Sequence, residues 1–340
     1  RKQCPAYGLP IPGAGAFRSP RYVRLYAPRC PKHFHIQASA RGGALFAPDA
    51  TRRDSRMRKA RPSKTARKVA LNVVTLGARA GMDEVLPPGL TDATAKLLVE
   101  SGAVGGRAVR FSRSRMAVRI YLAFDWMMPG QFEAFGHRKA FCERQVRDAI
   151  GASAKQVLVL GAGYDTIGWR LAPEFPDVQF FEVDHPATAR LKEKGIERMG
   201  ACANLHLLAE DLGERELADV LQSNKAWDNA SPTVFVAEGL LMYLPPEAVG
   251  ALFRQCAAVS GEGSRIAFSY VGTRKNGRPD AGPWSWLVLS LLRVAGEPWL
   301  WSMQPEELDL FLQTHNWTVA PNLPLPSKRC GIEFFGVAVK

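Results

Sequence analysis

Five short apolar runs recur between residues 157 and 270, with helix-length stretches between most of them. The runs are Val157–Leu160, Val178–Val183, Leu205–Leu208, Val234–Val236 and Arg265–Tyr270, and helical patterns lie at about 186–199, 213–222 and 246–259. A strand followed by a helix and another strand in the same sheet implies a right-handed crossover. This order therefore predicts an α/β fold whose mostly parallel, doubly wound sheet is covered on both faces. A helix over Pro305–Gln313, then Trp317–Ala320 and Glu333–Val339, would close the sheet, the last run antiparallel. Arg138–Ile150 has helical spacing and leads into the first strand, Ser63 could cap a helix through Ala66, Val69, Ala70 and Val73, and a further pattern spans about 91–101. The Trp- and Leu-rich stretch 284–295 contains Arg293. It falls short of the ~18–20 residues needed to cross a bilayer, and reads as a buried or lid helix.

These breaks divide the chain into a tail over 1–55 and one domain over 56–340. Within the domain we expect a helical cap (56–136), a ligand-binding core (137–271), a lid insertion (272–303) and a C-terminal closure (304–340). The formal charge of +13 sits almost wholly in the tail: residues 1–68 hold 17 Lys/Arg against Asp49 and Asp54, while 69–340 are nearly neutral at −2. A nucleic-acid surface on the folded part is thereby disfavoured. An Arg-rich leader without an acid before Asp49 has the composition of a transit peptide, and its many prolines lean toward a plastid rather than a mitochondrion. A disordered basic arm on a cytoplasmic protein is the alternative. Six scattered cysteines with no C-x-x-C pair read as reduced thiols, with neither a disulfide frame nor a metal site.

In such a sheet, ligands bind beyond the carboxyl ends of the strands. After the first run stand Gly161-Ala162-Gly163, where missing Cβ atoms permit close backbone approach. A dinucleotide fingerprint would place a third glycine at 166, but the chain has Asp165-Thr166, bulk and negative charge that a pyrophosphate would not favour. After the second run comes Glu182-Val183-Asp184, an acid spaced to hold ribose hydroxyls; equally, Asp184 or His185 could cap the helix that Pro186 begins. After the third comes Asp211-Leu212, which could accept an adenine amine and pack on its ring, or cap a helix beginning at Gly213. After the fourth comes Glu238, in so apolar a segment that its charge is costly unless paired. A glycine turn and three carboxylates suit a cation-bearing nucleoside, S-adenosylmethionine, better than a dinucleotide. Arg138, on the helix before the first strand, could reach over the glycine turn to clamp a carboxylate, or could belong to a solvated His137-Arg138-Lys139 patch.

With those stretches in view, the chain resembles the leucine carboxyl methyltransferase family of class I S-adenosylmethionine-dependent O-methyltransferases, particularly its bacterial-type small-molecule branch. The likeness is carried by His137-Arg138-Lys139-Ala140-Phe141, QVLVLGAGYDTIGWRL (156–171), FFEVDHPATARLK (180–192), AEDL (209–212), VAEGLLMYLP (236–245) and GEPWLW (296–301). The resemblance implies a Rossmann-like class I methyltransferase fold with a helical lid. It also implies that Arg138 grips the carboxylate of S-adenosyl-L-methionine, Gly161 and Gly163 line its methionine, Asp184 holds ribose, Asp211 and Leu212 frame adenine, and Glu238 faces the methionyl amine.

The expected activity is methyl transfer to a carboxylate or hydroxyl oxygen of a small molecule, with neither nucleic acid nor membrane as partner. Its rivals are an NAD(P)-dependent oxidoreductase, a non-catalytic S-adenosylmethionine-binding module and, as a minority reading, methylation of a protein C-terminal leucine. Tyr243, His185, Tyr121, Trp284 and Trp286 are candidates for the acceptor side, each equally suited to packing; no catalytic base is named.

Overall fold

The computed structural model describes residues 62–321 and 329–340 of the chain; the tail expected over 1–55 lies outside them. Among the described residues five helices precede the first strand: α1 (Lys64–Leu76), α2 (Leu90–Glu100), α3 (Gly106–Ser112), α4 (Arg115–Ala123) and α5 (Gln131–Gly151). The core then alternates β1 (Gln156–Leu160), α6 (Ile167–Leu171), β2 (Gln179–Asp184), α7 (Pro186–Met199), β3 (Leu205–Ala209), α8 (Leu217–Gln222), β4 (Thr233–Ala237), α9 (Pro246–Ala258) and β5 (Arg265–Val271). The chain ends with α10 (Ser285–Ala295), α11 (Leu308–Thr314), β6 (Thr318–Val319) and β7 (Glu333–Val339).

One seven-stranded sheet runs in the order β3-β2-β1-β4-β5-β7-β6, parallel through β5 and antiparallel at β7 and β6. β1 and β4 bury every residue, as strands covered on both faces must. One face carries the core built on Phe181, Phe235, Phe253 and Trp317, and the other that of Val146, Val157, Phe180 and Val234. Because β2 and β4 flank β1, consecutive elements diverge on either side of it, and the ends of β3, β2, β1 and β4 open side by side.

Local signals set the boundaries. Ser63 caps α1 by accepting the Ala66 N–H at 3.0 Å, and Pro186 occupies the first turn of α7. One expectation needs correction, and two helices had no counterpart in the sequence reading. Helices α3 and α4 are not legible as core-facing patterns, because α4 presents apolar residues on both its buried and its solvent faces. The helix expected from Gly213 begins at Leu217; Asp211 instead folds residues 211–215 into turns through its carbonyl and its carboxylate.

Candidate functional site

Gly161 and Gly163, immediately beyond β1, have φ of +63° and +49°, a region that disfavours any side chain. Gly161 packs beneath Leu240, and a Cβ on Gly163 would come within 3.1 Å of the Ala66 methyl on α1. The Gly163 N–H donates to Asp184 Oδ2 at 2.6 Å, fastening the turn to the end of β2. The capping alternative left open for Asp184 is settled: His185 caps α7, its Nδ1 accepting from the Ala187 N–H at 3.3 Å, and Asp184 does not. Burial raises the Asp184 pKa, against the lowering effect of the Gly163 N–H and Lys192.

Where the fingerprint glycine was missing, the structure supplies another. A Cβ on Gly168 would come within 2.5 Å of Glu182 Oε1 and 2.9 Å of Leu205 Cδ1, so Gly168 is the residue that lets α6 approach the sheet. Thr166 is fully buried and accepts from Arg170 Nε at 3.2 Å. Asp165 is not directed at a ligand: its carboxylate is ion-paired with Lys139 and accepts the Ile167 N–H at 2.6 Å. Burial would raise its pKa, but Lys139 and then Lys192 outweigh that and hold it well below the ordinary value. Repulsion of a pyrophosphate by Asp165 is therefore not the reason for this turn.

At the end of β4, Glu238 is paired, as its apolar setting demands: Arg138 Nε reaches it at 3.0 Å and Lys139 Nζ at 2.9 Å. Arg138 lies over Gly239 rather than over the turn at 161–163; a Cβ on Gly239 would meet its guanidinium at 3.0–3.1 Å. Lys139 instead reaches Asp165, two residues beyond the glycine turn, and no solvated patch forms, since both cations are buried or nearly so. Arg138 Nη1 also grips both carboxylate oxygens of Glu333 at 2.7 and 2.9 Å, and Gln131 Nε2 donates to the same group at 2.6 Å. Burial pulls the Arg138 pKa down, but Glu333 and then Glu238 more than reverse it.

These pairs extend beneath the crevice. Lys192 on α7 meets Glu182 on β2 at 2.5 Å, both fully buried, and lies near enough to Asp165 to lower its pKa. Along this line, carboxyl groups Glu182, Asp165, Glu238, Glu333 and Asp184 stand against Lys192, Lys139 and Arg138, an acidic excess at the strand ends. Glu333, Gln131 and Lys192 escaped sequence reasoning. The one signal available was a lone acid heading the apolar run of β7; nothing local placed it against α5, some 200 residues earlier.

Beyond β3, Asp211 Oδ1 accepts the Gly213 N–H at 2.9 Å, and its Oδ2 lies 3.9 Å from His185 Nε2. Leu212 packs partly buried against the core. The acceptor-side candidates scatter. Tyr121 stacks on Phe132 at 4.8 Å within a core cluster, and Trp284 meets Trp126 edge-on at 5.2 Å. Trp286 lines a separate cavity of ≈ 240 Å³ with Arg274, Leu289, Arg293 and Trp299, to which no strand-end residue contributes. Tyr243 stays near the end of β4, beside the returning segment 297–301, and burial raises its pKa. That segment is tied down on two sides: the Leu300 N–H donates to Met242 O at 2.7 Å, and Glu297 Oε1 accepts from Ser63 Oγ and the Thr65 N–H, both at 3.3 Å.

A family model for leucine carboxyl methyltransferases matches residues 70–257, more than half of the chain. The chain belongs to the leucine carboxyl methyltransferase family. Its match takes in α5, the glycine turn, Asp184, Asp211 and Glu238. Among curated relatives, provisionally named S-adenosyl-L-methionine-dependent methyltransferases resemble it. One from Mycolicibacterium smegmatis is 32% identical over 178 residues, 51% of this chain and 57% of the relative. Another from Mycobacterium tuberculosis is 37% identical over 132 residues, 38% and 37% respectively. The chain spans about half the length, or less, of these curated relatives. Among solved structures, a provisionally named methyltransferase from Thermobifida fusca YX superposes with a TM-score of 0.50 at 19% identity, over 75% of this chain and 98% of that one. At that identity the likeness is one of fold, a Rossmann-like sheet with helices on both faces.

Proposed function

We propose that the chain binds S-adenosyl-L-methionine in the strand-end crevice and transfers its methyl group to an oxygen of a small-molecule acceptor. The observation that carries this reading is the side-by-side pair at the end of β4. Arg138 commits Nε and Nη1 to carboxylates, and no hydrogen bond among the described residues reaches its Nη2. Glu238 receives its cations through Oε1, and none reaches its Oε2 by hydrogen bond. One donor beside one acceptor complements the carboxylate and ammonium of an amino-acid head group. Gly161 and Gly163 leave room for the chain that follows, Asp184 offers its second oxygen to ribose hydroxyls, and Asp211 with Leu212 provides an acceptor and an apolar surface for adenine. The acidic excess favours a cationic guest over one carrying two phosphates, which sets an NAD(P) reading aside.

S-adenosyl-L-methionine supplies, when bound, a methyl group on a sulfonium whose departing thioether needs no acid. The protein's part is then to align the reactants and exclude water. Ala66 on α1 and the Glu297 segment close over the glycine turn and can do the latter. Burial raises the Tyr243 pKa, so its hydroxyl stays protonated and offers no ready base. A carboxylate acceptor requires none, and this supports transfer to oxygen. Isothermal titration of the full chain with S-adenosyl-L-methionine should show binding that Asp184→Ala weakens at least about tenfold, the loss of a charged hydrogen-bond acceptor. Labelled donor should yield a methylated product in metabolite extracts, alkali-labile where the acceptor is a carboxylate and alkali-stable where it is a hydroxyl. Undiminished binding in the variant, or preference for a nicotinamide dinucleotide, would overturn the reading.

A further inference from the structure

The surface of the described residues is uneven in one respect. Of the thirteen exposed large hydrophobic side chains, ten lie in two segments: Phe111, Met116, Ile120, Leu122, Phe124 and Trp126 in one, and Trp284, Trp286, Leu291 and Val294 in the other. The edge-to-face contact between Trp126 and Trp284 joins them into one patch. Phe124, Trp286 and Val294 are 60%, 64% and 83% exposed. A patch of this extent on a water-facing surface marks an interaction site.

Helix α4 shows the peculiarity at residue level. Ala117 and Val118 bury its inner side, while Met116, Ile120 and Phe124, spaced i, i+4, i+8, form a second apolar stripe that faces outward. Five arginines at 107, 110, 113, 115 and 119 stand among these residues, all exposed, against Asp125 alone between 106 and 126. Arg113 is spoken for by Asp92 of α2 at 2.6 Å; among the described residues the other four have no ion-pair partner. On α10, Arg293 stands beside Leu291 and Val294.

The geometry points to this patch as a docking surface for an anionic lipid bilayer. Exposed aromatic and aliphatic side chains interleaved with arginines are the composition of a helix lying at a membrane interface, where apolar groups enter the acyl boundary and cations meet acidic headgroups. Tryptophan is particularly suited to that level, being apolar with one polar edge. No described helix is long and apolar enough to cross a membrane, but lying on one makes no such demand. The expectation of no membrane partner rested on the lack of a spanning segment alone. Charge decides against two other occupants. A second copy docking the same patch about a two-fold axis would bring like arginines together. Residues 1–61, with 14 Lys/Arg against Asp49 and Asp54, would meet the patch with the same sign. The lid helix α10 belongs to the patch, so docking would bring the lid to the bilayer. The inference stands independently of the methyltransferase reading.

The test is co-sedimentation of the full chain with vesicles of phosphatidylcholine alone and with about 30% phosphatidylserine, at low and high salt. The expected result is binding to the anionic vesicles only, weakened by salt, with a blue shift of tryptophan fluorescence. Ile120→Ser/Phe124→Ser/Trp126→Ser keeps every charge, and should cut the bound fraction at least about tenfold while leaving the melting temperature in place. Arg115→Glu/Arg119→Glu, a second variant that spares the apolar groups, should weaken binding by at least the same factor. Absence of binding overturns the proposal. So does binding that neither variant changes, which would assign it to the basic N-terminal residues. Sedimentation velocity showing a dimer that the triple variant dissolves would assign the patch to self-association and equally overturn it.

Discussion

Lys192→Met probes the buried charges on which the crevice rests. Its ammonium lies 2.5 Å from Glu182 Oε2, and both side chains are about 2% exposed. Removing one partner of such a pair leaves the other charged group without compensation, a cost of roughly 3–5 kcal/mol, much of the roughly 5–15 kcal/mol by which a domain is usually stable. Met matches the lysine stem in length, so little of that cost comes from packing. Glu182 already has a pKa raised by burial, with Lys192 as the chief opposing influence; without the lysine it rises further. Below that pKa the carboxyl is neutral and the missing cation matters little, whereas above it a carboxylate is buried alone. The destabilisation should therefore be small in acid and grow as pH rises toward neutral. Adding Glu182→Gln should restore most of the loss at neutral pH. The site should respond as well, because Lys192 also lowers the pKa values of Asp165 and Asp184. Urea unfolding followed by circular dichroism at several pH values measures the stability arm. A Lys192→Met loss that does not vary with pH, or that Glu182→Gln leaves in place, would refute the reasoning.

Three further outcomes are expected. If Asp184 holds the ribose as proposed, affinity for S-adenosyl-L-methionine should fall as pH drops through its raised pKa, because the ionised form is the better acceptor of hydroxyls; Asp184→Asn should bind weakly and flatten that dependence in titration calorimetry. Gly168→Ala should destabilise by about 1–3 kcal/mol in chemical unfolding, since its methyl would press on Glu182 at 2.5 Å. Glu297→Gln should cost no more than about 1 kcal/mol of global stability, yet hydrogen exchange should quicken in the first turn of α1, where Glu297 receives the Ser63 hydroxyl and the Thr65 N–H.

Much of the architecture could be read from the chain because it rests on short-range rules. Proline in the first turn started α7 and α9 where expected. Short apolar runs located the parallel strands to within a residue or so; β1 and β4, buried throughout, are the clearest, while Glu182, His206 and Ser269 interrupt the runs of β2, β3 and β5. The residues after β1, β2, β3 and β4 could be named in advance because the crossover rule fixes which strand ends share an opening.

What each of those side chains does there depended on partners far away in sequence. Whether Asp184 or His185 caps α7 turned on the Gly163 N–H, 21 residues back. Arg138 had two readings from its neighbours, a carboxylate clamp or a solvated surface residue, and Glu333 and Glu238, 195 and 100 residues on, decide that it is buried and which of its nitrogens are taken. Gly168 owes its necessity to Glu182 and Leu205 on the adjacent strands. Periodicity records how much of a residue is buried, and it reports poorly on the charge it is buried against. The sequence by itself therefore determined the succession of strands and helices and the residue types at the strand ends, while the order of strands in the sheet, the pairing of buried charges and the outward apolar face beside α10 were decided only when the chain closed on itself.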